Sequence, residues 1–408
     1  MRRDVEARLE EAAGLAEAIG IEVVEKLHFR IRSPRPATLF GSGQVEQIAE
    51  ALRLHEAELL IVDGAITPIQ QKNLETGTKA KVIDRTGLIL EIFGERAATA
   101  EGRLQVELAH LDYQAGRLVR SWTHLERQRG GFGFLGGPGE TQIEADRRLI
   151  RDRMAKLRRE LEQVTRTRSL HRARRQRAPW PVIALVGYTN AGKSTLFNRL
   201  TRAEVFAENL LFATLDPTMR EVSLPGIDKA ILSDTVGFIS ELPTQLVAAF
   251  RATLEEVISA DLIIHVRDIS HPDTEAQATD VEAVLTDIGA IRENGAPLLE
   301  AWNKIDALDG EEAERVRAEA QRRENVVVIS ALAGDGVGKL LDCASRLLNE
   351  GARPRRLTVP SADGEALAWL HQHGEVLDEQ SDGLDMHLEV RLTDTDYARF
   401  QARQGERA

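Results

Sequence analysis

The stretch 186-VGYTNAGKST-195 decides the fold, because it places a glycine-bearing loop between two regular patterns. The apolar run 182–186 before it is typical of a buried strand, and residues 196–200 after it continue as a helix. In the order strand, loop and helix, backbone N–H groups at the start of the helix form a cradle for phosphate. The spacing Gly-x4-Gly-Lys-Ser matches the phosphate-binding loop of nucleoside-triphosphate hydrolases, although such a short match needs context.

Individual residues of this loop have separate expected roles. We expect the ammonium group of Lys193 to reach the β- and γ-phosphates, and the hydroxyl of Ser194 to hold Mg²⁺. The backbone N–H groups of the loop would surround the β-phosphate. The predicted nucleotide-binding residues of the phosphate-binding loop are Gly187, Tyr188, Thr189, Asn190, Ala191, Gly192, Lys193, Ser194 and Thr195.

The stretch 300-EAWNKID-306 carries the signal for the base. The carboxylate of Asp306 can accept hydrogen bonds from the ring N–H and the exocyclic amine of guanine. Adenine would leave this carboxylate, which we expect to be buried, without partners, at a cost of about 1–3 kcal/mol. We expect the Lys304 stem to cover the base, Asn303 to tie this loop to the phosphate-binding loop, and the backbone of residues 330–332 to meet the guanine O6. The predicted base-binding residues are Asn303, Lys304, Ile305, Asp306, Ser330, Ala331 and Leu332.

Two further stretches, 212-FATLD-216 and 234-DTVG-237, predict the residues around the γ-phosphate. An aspartate at the end of a strand, such as Asp234, holds the metal through water, and the N–H of Gly237 can touch the γ-phosphate. Thr214 offers a second hydroxyl, so Ser194 and Thr214 are the predicted metal ligands. Lys193, Thr214 and Gly237 are the predicted catalytic residues. The predicted binding residues of these two stretches are Phe212, Ala213, Thr214, Leu215, Asp216, Asp234, Thr235, Val236 and Gly237.

Length and composition predict several domains in an intracellular protein. The 408 residues exceed one usual core, the hydrophobic fraction is 42%, and no apolar run approaches a membrane span. The single cysteine, Cys343, excludes an internal disulfide. We expect a cytoplasmic monomer. The net charge of −12 is unevenly distributed, because residues 143–179 contain thirteen Arg and Lys against five Asp and Glu.

The expected fold class is α/β, with an N-terminal α/β domain that carries a long antiparallel helical hairpin, a central P-loop domain and a small C-terminal α+β domain. We predict the boundaries 1–98, 99–178, 179–350 and 355–408. In the first domain, residues 21–24, 59–62 and 81–83 are predicted strands, and residues 44–54 and 68–75 are predicted helices. The C-terminal domain is predicted to be βαββα, with elements at 357–359, 365–371, 375–377, 384–390 and 395–402.

The hairpin is predicted from two apolar seams with alternating spacings of three and four residues. One seam runs from Leu104 to Leu118 and the other from Ile150 to Val164. The second helix, from about residue 140 to 174, would be on the order of 50 Å long. Between the helices, 129-RGGFGFLGGPGE-140 predicts a flexible tip. It is either a plain turn or, beside an arginine-rich helix, an RNA-contacting loop with aromatic side chains that stack on bases.

Six stretches of the chain together match one known family. They are 84-DRTGLILEIFGERA-97, 104-LQVELAHL-111, 137-GPGETQIEADRR-148, 186-VGYTNAGKSTLFN-198, 211-LFATLDPT-218 and 234-DTVGFI-239. With them the chain closely resembles the HflX family of translation-factor-related P-loop GTPases. The resemblance implies a GTPase that binds the large ribosomal subunit and its RNA, and that splits stalled or idle ribosomes under stress.

The resemblance also bears on mechanism and on alternatives. Phe238 occupies the position where many GTPases place a glutamine that orients water, so we expect slow intrinsic hydrolysis, accelerated by the ribosome or by a cation. Asn190 matches an asparagine that seats K⁺ in related GTPases.

The family usually has lysine where Gln44 stands, which weakens the idea of a second, adenine-nucleotide site at 41-GSGQ-44. The rival interpretation is a signalling or scaffold GTPase that docks a protein through its coiled coil, and ATP-driven RNA remodelling is a third.

Overall fold

The computed structural model describes residues 4–97, 99–128, 138–175, 180–201, 218–240, 251–291, 295–349 and 353–405. These residues form a mixed α/β fold with three sheets, as the sequence predicts. In the described part of the chain, no helix combines the length and the apolar character that a bilayer crossing requires.

The N-terminal part surrounds a two-stranded parallel sheet. Its elements are α1 (Val5–Glu17), α2 (Ser42–Leu54), β1 (Leu59–Val62), α3 (Pro68–Thr78), β2 (Lys81–Asp84) and α4 (Arg85–Arg96). Four of the predicted elements are confirmed, but the predicted strand at residues 21–24 is wrong. Residues 21–30 have no regular secondary structure, and Val24 remains 46% exposed. An apolar run forms a strand only where another strand supplies ladder hydrogen bonds, and no described strand pairs with it.

Two long helices follow, α5 (Ala100–Gln128) and α6 (Pro138–Arg175), and we call them the arm. They pack against each other, and Met154 and Leu157 of the predicted seam are buried. Arg153 on α6 donates hydrogen bonds to both carboxylate oxygens of Glu107 on α5, at 2.7 and 2.8 Å. The helix α6 begins with proline, which suits a first helical position. The glycine-rich residues 129–137 lie outside the described residues.

The central part has a six-stranded sheet in the order β4-β5-β3-β6-β7-β8, in which only β4 is antiparallel to its neighbour. The carboxyl ends of β3, β5, β6 and β7 therefore meet at one edge, where ligands bind in open α/β sheets. The elements are β3 (Val182–Val186), α7 (Lys193–Thr201), β4 (Thr218–Leu224), β5 (Ile227–Asp234), α8 (Arg251–Ile258), β6 (Leu262–Asp268), α9 (Thr274–Asp287), β7 (Leu298–Asn303), the 3-10 turn Ile305–Ala307, α10 (Gly310–Ala320), β8 (Val326–Val328) and α11 (Val337–Asn349).

The C-terminal part confirms the predicted βαββα order and has its own core. Its three antiparallel strands lie in the order β10-β11-β9. Val359, Leu370 and Val390 are fully buried there. The elements are β9 (Arg353–Pro360), α12 (Gly364–His373), β10 (Glu375–Ser381), β11 (Asp385–Leu392) and α13 (Asp394–Gly405).

One hydrophobic cluster joins the N-terminal part to the central sheet. It contains Leu15 of α1 and Phe93 of α4 together with Val186 of β3 and Phe238 beyond β5. Each of these side chains is at most 6% exposed. Because one core includes residues of both parts, movement near the end of β5 affects the packing of α1 and α4.

Candidate nucleotide-binding site

The phosphate-binding loop, residues 187–195, lies between β3 and α7 as predicted. Gly192 has a φ of +93°, and a Cβ placed on it would lie 2.2 Å from the side-chain nitrogen of Asn303. Any larger residue at Gly192 would therefore displace Asn303. Asn190 is exposed and has a φ of 60°. The loop thus has a backbone that turns tightly enough to aim N–H groups at an anion.

Lys193 is buried at the start of α7, where its ammonium group donates to backbone carbonyls of the same loop. The distances from Nζ are 3.1 Å to the oxygen of Gly187 and 2.8 Å to that of Tyr188. Burial lowers the pKa of Lys193 to about 8, although the carboxylate of Asp234 opposes that shift. A buried cation whose charge is disfavoured is suited to a polyanion, because phosphate charge would restore its usual pKa.

Ser194 and Asp234 come together as predicted, because α7 begins beside the end of β5. The Ser194 hydroxyl donates to Oδ2 of Asp234 at 2.9 Å, and Asp234 is fully buried. Thr235 anchors the strand end by donating to the carbonyl of Leu185 at 2.6 Å. A hydroxyl and a carboxylate beside a phosphate cradle are the oxygen ligands that Mg²⁺ prefers. Thr214, like Phe212, Ala213, Leu215 and Asp216, lies outside the described residues.

The DxxG segment, residues 234–237, lies directly against the phosphate-binding loop. Phe238 donates its N–H to the carbonyl of Gly187 at 3.0 Å and accepts from the N–H of Thr189 at 2.7 Å. A Cβ placed on Gly237 would lie 2.9 Å from Thr189 Cα and 3.0 Å from Lys193 Nζ. We call this arrangement the closed form. The ring of Phe238 is 6% exposed and belongs to the core shared with the N-terminal part, so it does not face the phosphate site.

Asn303 links the base-binding loops to the phosphate-binding loop as predicted. Its side chain donates to the carbonyl of Ala191 at 2.7 Å and accepts from the N–H of Ala331 at 2.8 Å. Lys304 has a φ of 66°, and its ammonium group pairs with Asp268 at 2.7 Å. This ion pair holds the lysine stem in place and was not predicted from the sequence.

The predicted burial of Asp306 is wrong, because its side chain is exposed at the start of a 3-10 turn. The turn lies just beyond the carboxyl end of β7, where a bound base would cover the carboxylate. An unmatched base therefore costs free energy only in the nucleotide complex, where the base covers the carboxylate of Asp306. The neighbouring residues divide by exposure: Ile305, Ser330 and Ala331 are buried, whereas Leu332 is 73% exposed.

A cluster of polar residues at the junction with the N-terminal part was also missed by the sequence analysis. Glu11 of α1 forms an ion pair with Arg85 of α4 and accepts hydrogen bonds from Tyr188 and Ser240. Arg85 lies in 84-DRTGLILEIFGERA-97, one of the stretches that carries the family resemblance. That match was the available signal, but nothing local in the sequence links Glu11 to the phosphate-binding loop.

The 41–44 stretch and the buried His265 have structural roles. The N–H of Gly41 donates to the side-chain oxygen of Gln44 at 2.9 Å, so the α2 N-terminus is capped by its own helix. That contact favours the plain strand-to-helix turn over a second nucleotide site. His265 is 1% exposed, and burial, assisted by the charge of Arg267, lowers its pKa to about 4. It is a neutral core histidine.

Four family models match nearly the whole chain. They are described as "GTP-binding GTPase N-terminal" over residues 6–94, "GTP-binding GTPase Middle Region" over 96–175, "50S ribosome-binding GTPase" over 182–304 and "HflX C-terminal domain" over 315–408. Together the four matches extend from residue 6 to residue 408.

Curated relatives are similar along most of their own length. "GTPase HflX" of Magnetococcus marinus is 51% identical over 370 residues, which cover 91% of this chain and 84% of the relative. "GTPase HflX" of Escherichia coli is 43% identical over 394 residues, with coverages of 96% and 91%. A GTP-binding protein from Sulfolobus solfataricus, solved in complex with GDP, is 26% identical with a TM-score of 0.45, and covers 84% of this chain and 95% of its own.

Proposed function

Because the chain belongs to the HflX family of GTPases, which hydrolyse GTP, we propose that it is a GTP-controlled factor that associates with the large ribosomal subunit. In this proposal, GTP binding prepares the arm to contact ribosomal RNA, and GTP hydrolysis releases it. Binding energy in the GTP state, rather than hydrolysis, then separates the subunits of stalled or idle ribosomes. The protein would act in the cytoplasm, where its substrate is found.

The carrying observation is that the nucleotide site and the arm share one packed core. Phe238, next to the DxxG segment, lies in the same cluster as Val106 and Ala109 of α5. A change in the DxxG segment therefore has a physical route to the arm through packed side chains. We assign residues 1–98 and 99–178 to the responding part, 179–350 to the nucleotide-binding part and 355–408 to a separate C-terminal domain.

The predicted site residues have the following proposed roles. Lys193 and the N–H groups of the phosphate-binding loop neutralise the β- and γ-phosphates, and the Gly237 N–H bonds to the γ-phosphate when the closed form opens. Asp306 selects guanine, while Lys304 covers the base and Asn303 holds the two loops together. The buried ring of Phe238 cannot orient water, so intrinsic hydrolysis is slow and a second factor must accelerate it.

Ser194, Thr214 and, through water, Asp234 would hold Mg²⁺, which supplies charge neutralisation between the β- and γ-phosphates when bound. The 2.9 Å contact between Ser194 and Asp234 supports this assignment. Asn190 is the proposed contact for K⁺, because it is exposed on the loop that surrounds the phosphates. Single-turnover hydrolysis in potassium and in sodium tests this role, and equal rates would remove it.

Exposed arginines on α6 support RNA as the partner. Arg151 and Arg158 are exposed in the described part of α6, within the basic run. Contacts between arginine and phosphate release counterions, so the affinity for ribosomes must fall steeply with salt. An apolar docking surface for a protein partner, as in the rival scaffold function, would respond little to salt.

The test is co-sedimentation of the full chain with purified large subunits, with a non-hydrolysable GTP analogue, across a salt series. The double variant Arg151→Glu with Arg158→Glu should bind large subunits more weakly. It should also reduce the slope of log affinity against log salt by about one per lost phosphate contact. Arg30→Glu with Arg32→Glu is the matched control, because these exposed arginines lie outside the arm. Equal slopes for all three proteins would refute RNA contact through this helix.

Subunit separation needs its own experiment. Intact ribosomes, the protein and the non-hydrolysable analogue are mixed for a single round, and free subunits are measured by light scattering. The proposal predicts separation without hydrolysis. If separation requires hydrolysable GTP, binding energy is not its source.

A further inference from the structure

Glu11 on α1 contacts both the phosphate-binding loop and the segment after DxxG. Its Oε2 accepts from the hydroxyl of Tyr188 at 2.8 Å, and its Oε1 accepts from the hydroxyl of Ser240 at 2.6 Å. Arg85 also donates to Oε1 of Glu11 and to the Ser240 hydroxyl, the latter at 2.7 Å. One carboxylate of the N-terminal part therefore joins two segments of the nucleotide site.

This contact stabilises the charged carboxylate in a nearly buried position. The side chains of Glu11 and Arg85 are 12% and 5% exposed. Burial alone would raise the pKa of Glu11, but Arg85, Ser240 and Tyr188 together hold that pKa below its usual value. Hydrogen bonds to a buried charge are among the stronger ones in proteins, so each of these contacts affects the position of its partner.

The segments joined by Glu11 are held in the closed form. Tyr188 lies between Gly187 and Thr189, the two residues that form backbone hydrogen bonds with Phe238, and Ser240 follows two residues after Phe238. In this form the backbone at Gly237 lies close to the ammonium group of Lys193, because a Cβ placed on Gly237 would lie 3.0 Å from Lys193 Nζ. A γ-phosphate that bonds to both Lys193 and the Gly237 N–H must lie between them. On this geometry a γ-phosphate would need residues 237–240 to move away from the phosphate-binding loop, whereas GDP carries no γ-phosphate to accommodate.

The same network continues toward the arm. Arg85 is the first residue of α4, and Asp84 caps that helix by accepting from the N–H of Gly87 at 2.8 Å. Asp84 also accepts from Tyr113 and Arg117 of α5, each at 2.6 Å. At the start of α4, Arg85 thus contacts the segment after DxxG, and the adjacent Asp84 contacts the arm.

We propose that Glu11 is a positioning residue for the nucleotide site: it holds residues 237–240 in the closed form, opposes entry of the γ-phosphate, and links that movement to α5 through Arg85 and Asp84. The inference rests on the GTPase activity of the family and not on ribosome binding. It assigns to the N-terminal part a direct control over the choice between GTP and GDP.

The test measures the affinities of the full-length protein for GDP and for a non-hydrolysable GTP analogue by calorimetry. Glu11→Ala should raise the preference for the analogue over GDP by at least about tenfold, because the loss of one hydrogen bond to a charge already has that effect and this substitution removes the bonds from both Tyr188 and Ser240. Glu11→Gln keeps an acceptor oxygen and should have an intermediate effect. Glu10→Gln is the matched control, because Glu10 is the neighbouring carboxylate and, among the described residues, pairs only with Lys26, at 2.6 Å. It should leave the preference unchanged.

Ser240→Ala provides an independent variant that preserves the ion pair between Glu11 and Arg85. It should also raise the preference for the analogue, and the double variant with Glu11→Ala should add less than the sum of the two single effects. In steady-state hydrolysis, the KM for GTP should fall while kcat changes little. These readouts separate positioning from a purely structural role, which would weaken both nucleotides equally and lower the melting temperature.

Hydrogen exchange tests the link to the arm. Binding of the analogue should change exchange in peptides of α4 and α5 in the unmodified protein and much less in Glu11→Ala. The proposal is overturned if Glu11→Ala and Ser240→Ala leave the preference within twofold of the unmodified protein, if they favour GDP, or if they weaken both nucleotides equally. It is also overturned if the two substitutions are additive.

Discussion

The buried ammonium group of Lys193 predicts that nucleotide binding takes up a proton. Without phosphate, burial lowers the pKa of this group to about 8, against an ordinary value of 10.5. The difference corresponds to roughly 3 kcal/mol of cost for keeping the charge in the folded site. The phosphates of GDP place negative charge beside the group and restore its protonated form. At pH 8, about half of the sites are neutral, so binding should take up about 0.5 proton per site.

The sign of the pH dependence follows from the same shift. Between about pH 8 and 10.5 the unfolded chain binds more protons at Lys193 than the folded chain. The free energy of unfolding without nucleotide therefore rises with pH in this window, while the affinity for GDP falls by up to about tenfold per pH unit. The two properties change in opposite directions because one favours the neutral amine and the other the ammonium ion.

Calorimetry in two buffers with different ionisation enthalpies measures the uptake directly, between pH 7 and 8.5. Lys193→Arg is the control, because a guanidinium remains charged throughout this range. This variant should show no proton uptake from the site, even if its affinity is lower. An unmodified protein that takes up no proton at pH 8, or takes up as much as the arginine variant, would refute the reasoning.

Three further predictions concern single side chains. Asn303→Ala leaves the buried carbonyl of Ala191 and the buried N–H of Ala331 without their partner, which costs about 2–6 kcal/mol in total. The affinity for GDP and the melting temperature should both fall. An unchanged GDP affinity would contradict the linking role of Asn303. Asp268→Asn removes the ion pair with Lys304 and should weaken the affinity for GDP about fivefold, which is within the usual contribution of a partly exposed ion pair. Calorimetry with GDP measures this change. An unchanged affinity would show that the lysine stem needs no ion pair to hold it in place. The unmodified protein should lose up to roughly 3 kcal/mol of unfolding free energy as the pH falls from 6.5 to 4, because the folded-state pKa of His265 of about 4 lies below the ordinary 6.5. His265→Leu should remove this loss. Urea midpoints that change with pH in parallel for the two proteins would be inconsistent with that pKa.

Much of the nucleotide site could be predicted because local sequence determines local backbone there. The phosphate-binding loop follows a buried strand directly, and Asn303 ends another strand of the same parallel sheet. Carboxyl ends of neighbouring parallel strands lie close together, so these residues meet without any long-range information. The C-terminal βαββα order was predictable for a related reason, because its elements have clear apolar periods and short connections.

The residues that escaped prediction depend on contacts between distant parts of the chain. Glu11 is 177 residues from Tyr188 and 229 from Ser240 in sequence, and no periodic pattern records such a contact. The same limit explains the absent strand at residues 21–24, where the local run is apolar but no described strand pairs with it. Asp306 is exposed. The exposure of a side chain at the edge of the sheet depends on the tertiary fold and on the ligand, and the spacing of Asn303, Lys304 and Asp306 does not determine it.

The function proposed here requires that the γ-phosphate changes the affinity of the arm for the ribosome. The most direct measurement is the equilibrium affinity of the full-length protein for purified large ribosomal subunits at fixed salt, with the non-hydrolysable GTP analogue and with GDP. The account predicts that the analogue strengthens binding by at least about tenfold, a typical coupling between two sites. Equal affinities with the two nucleotides would contradict it.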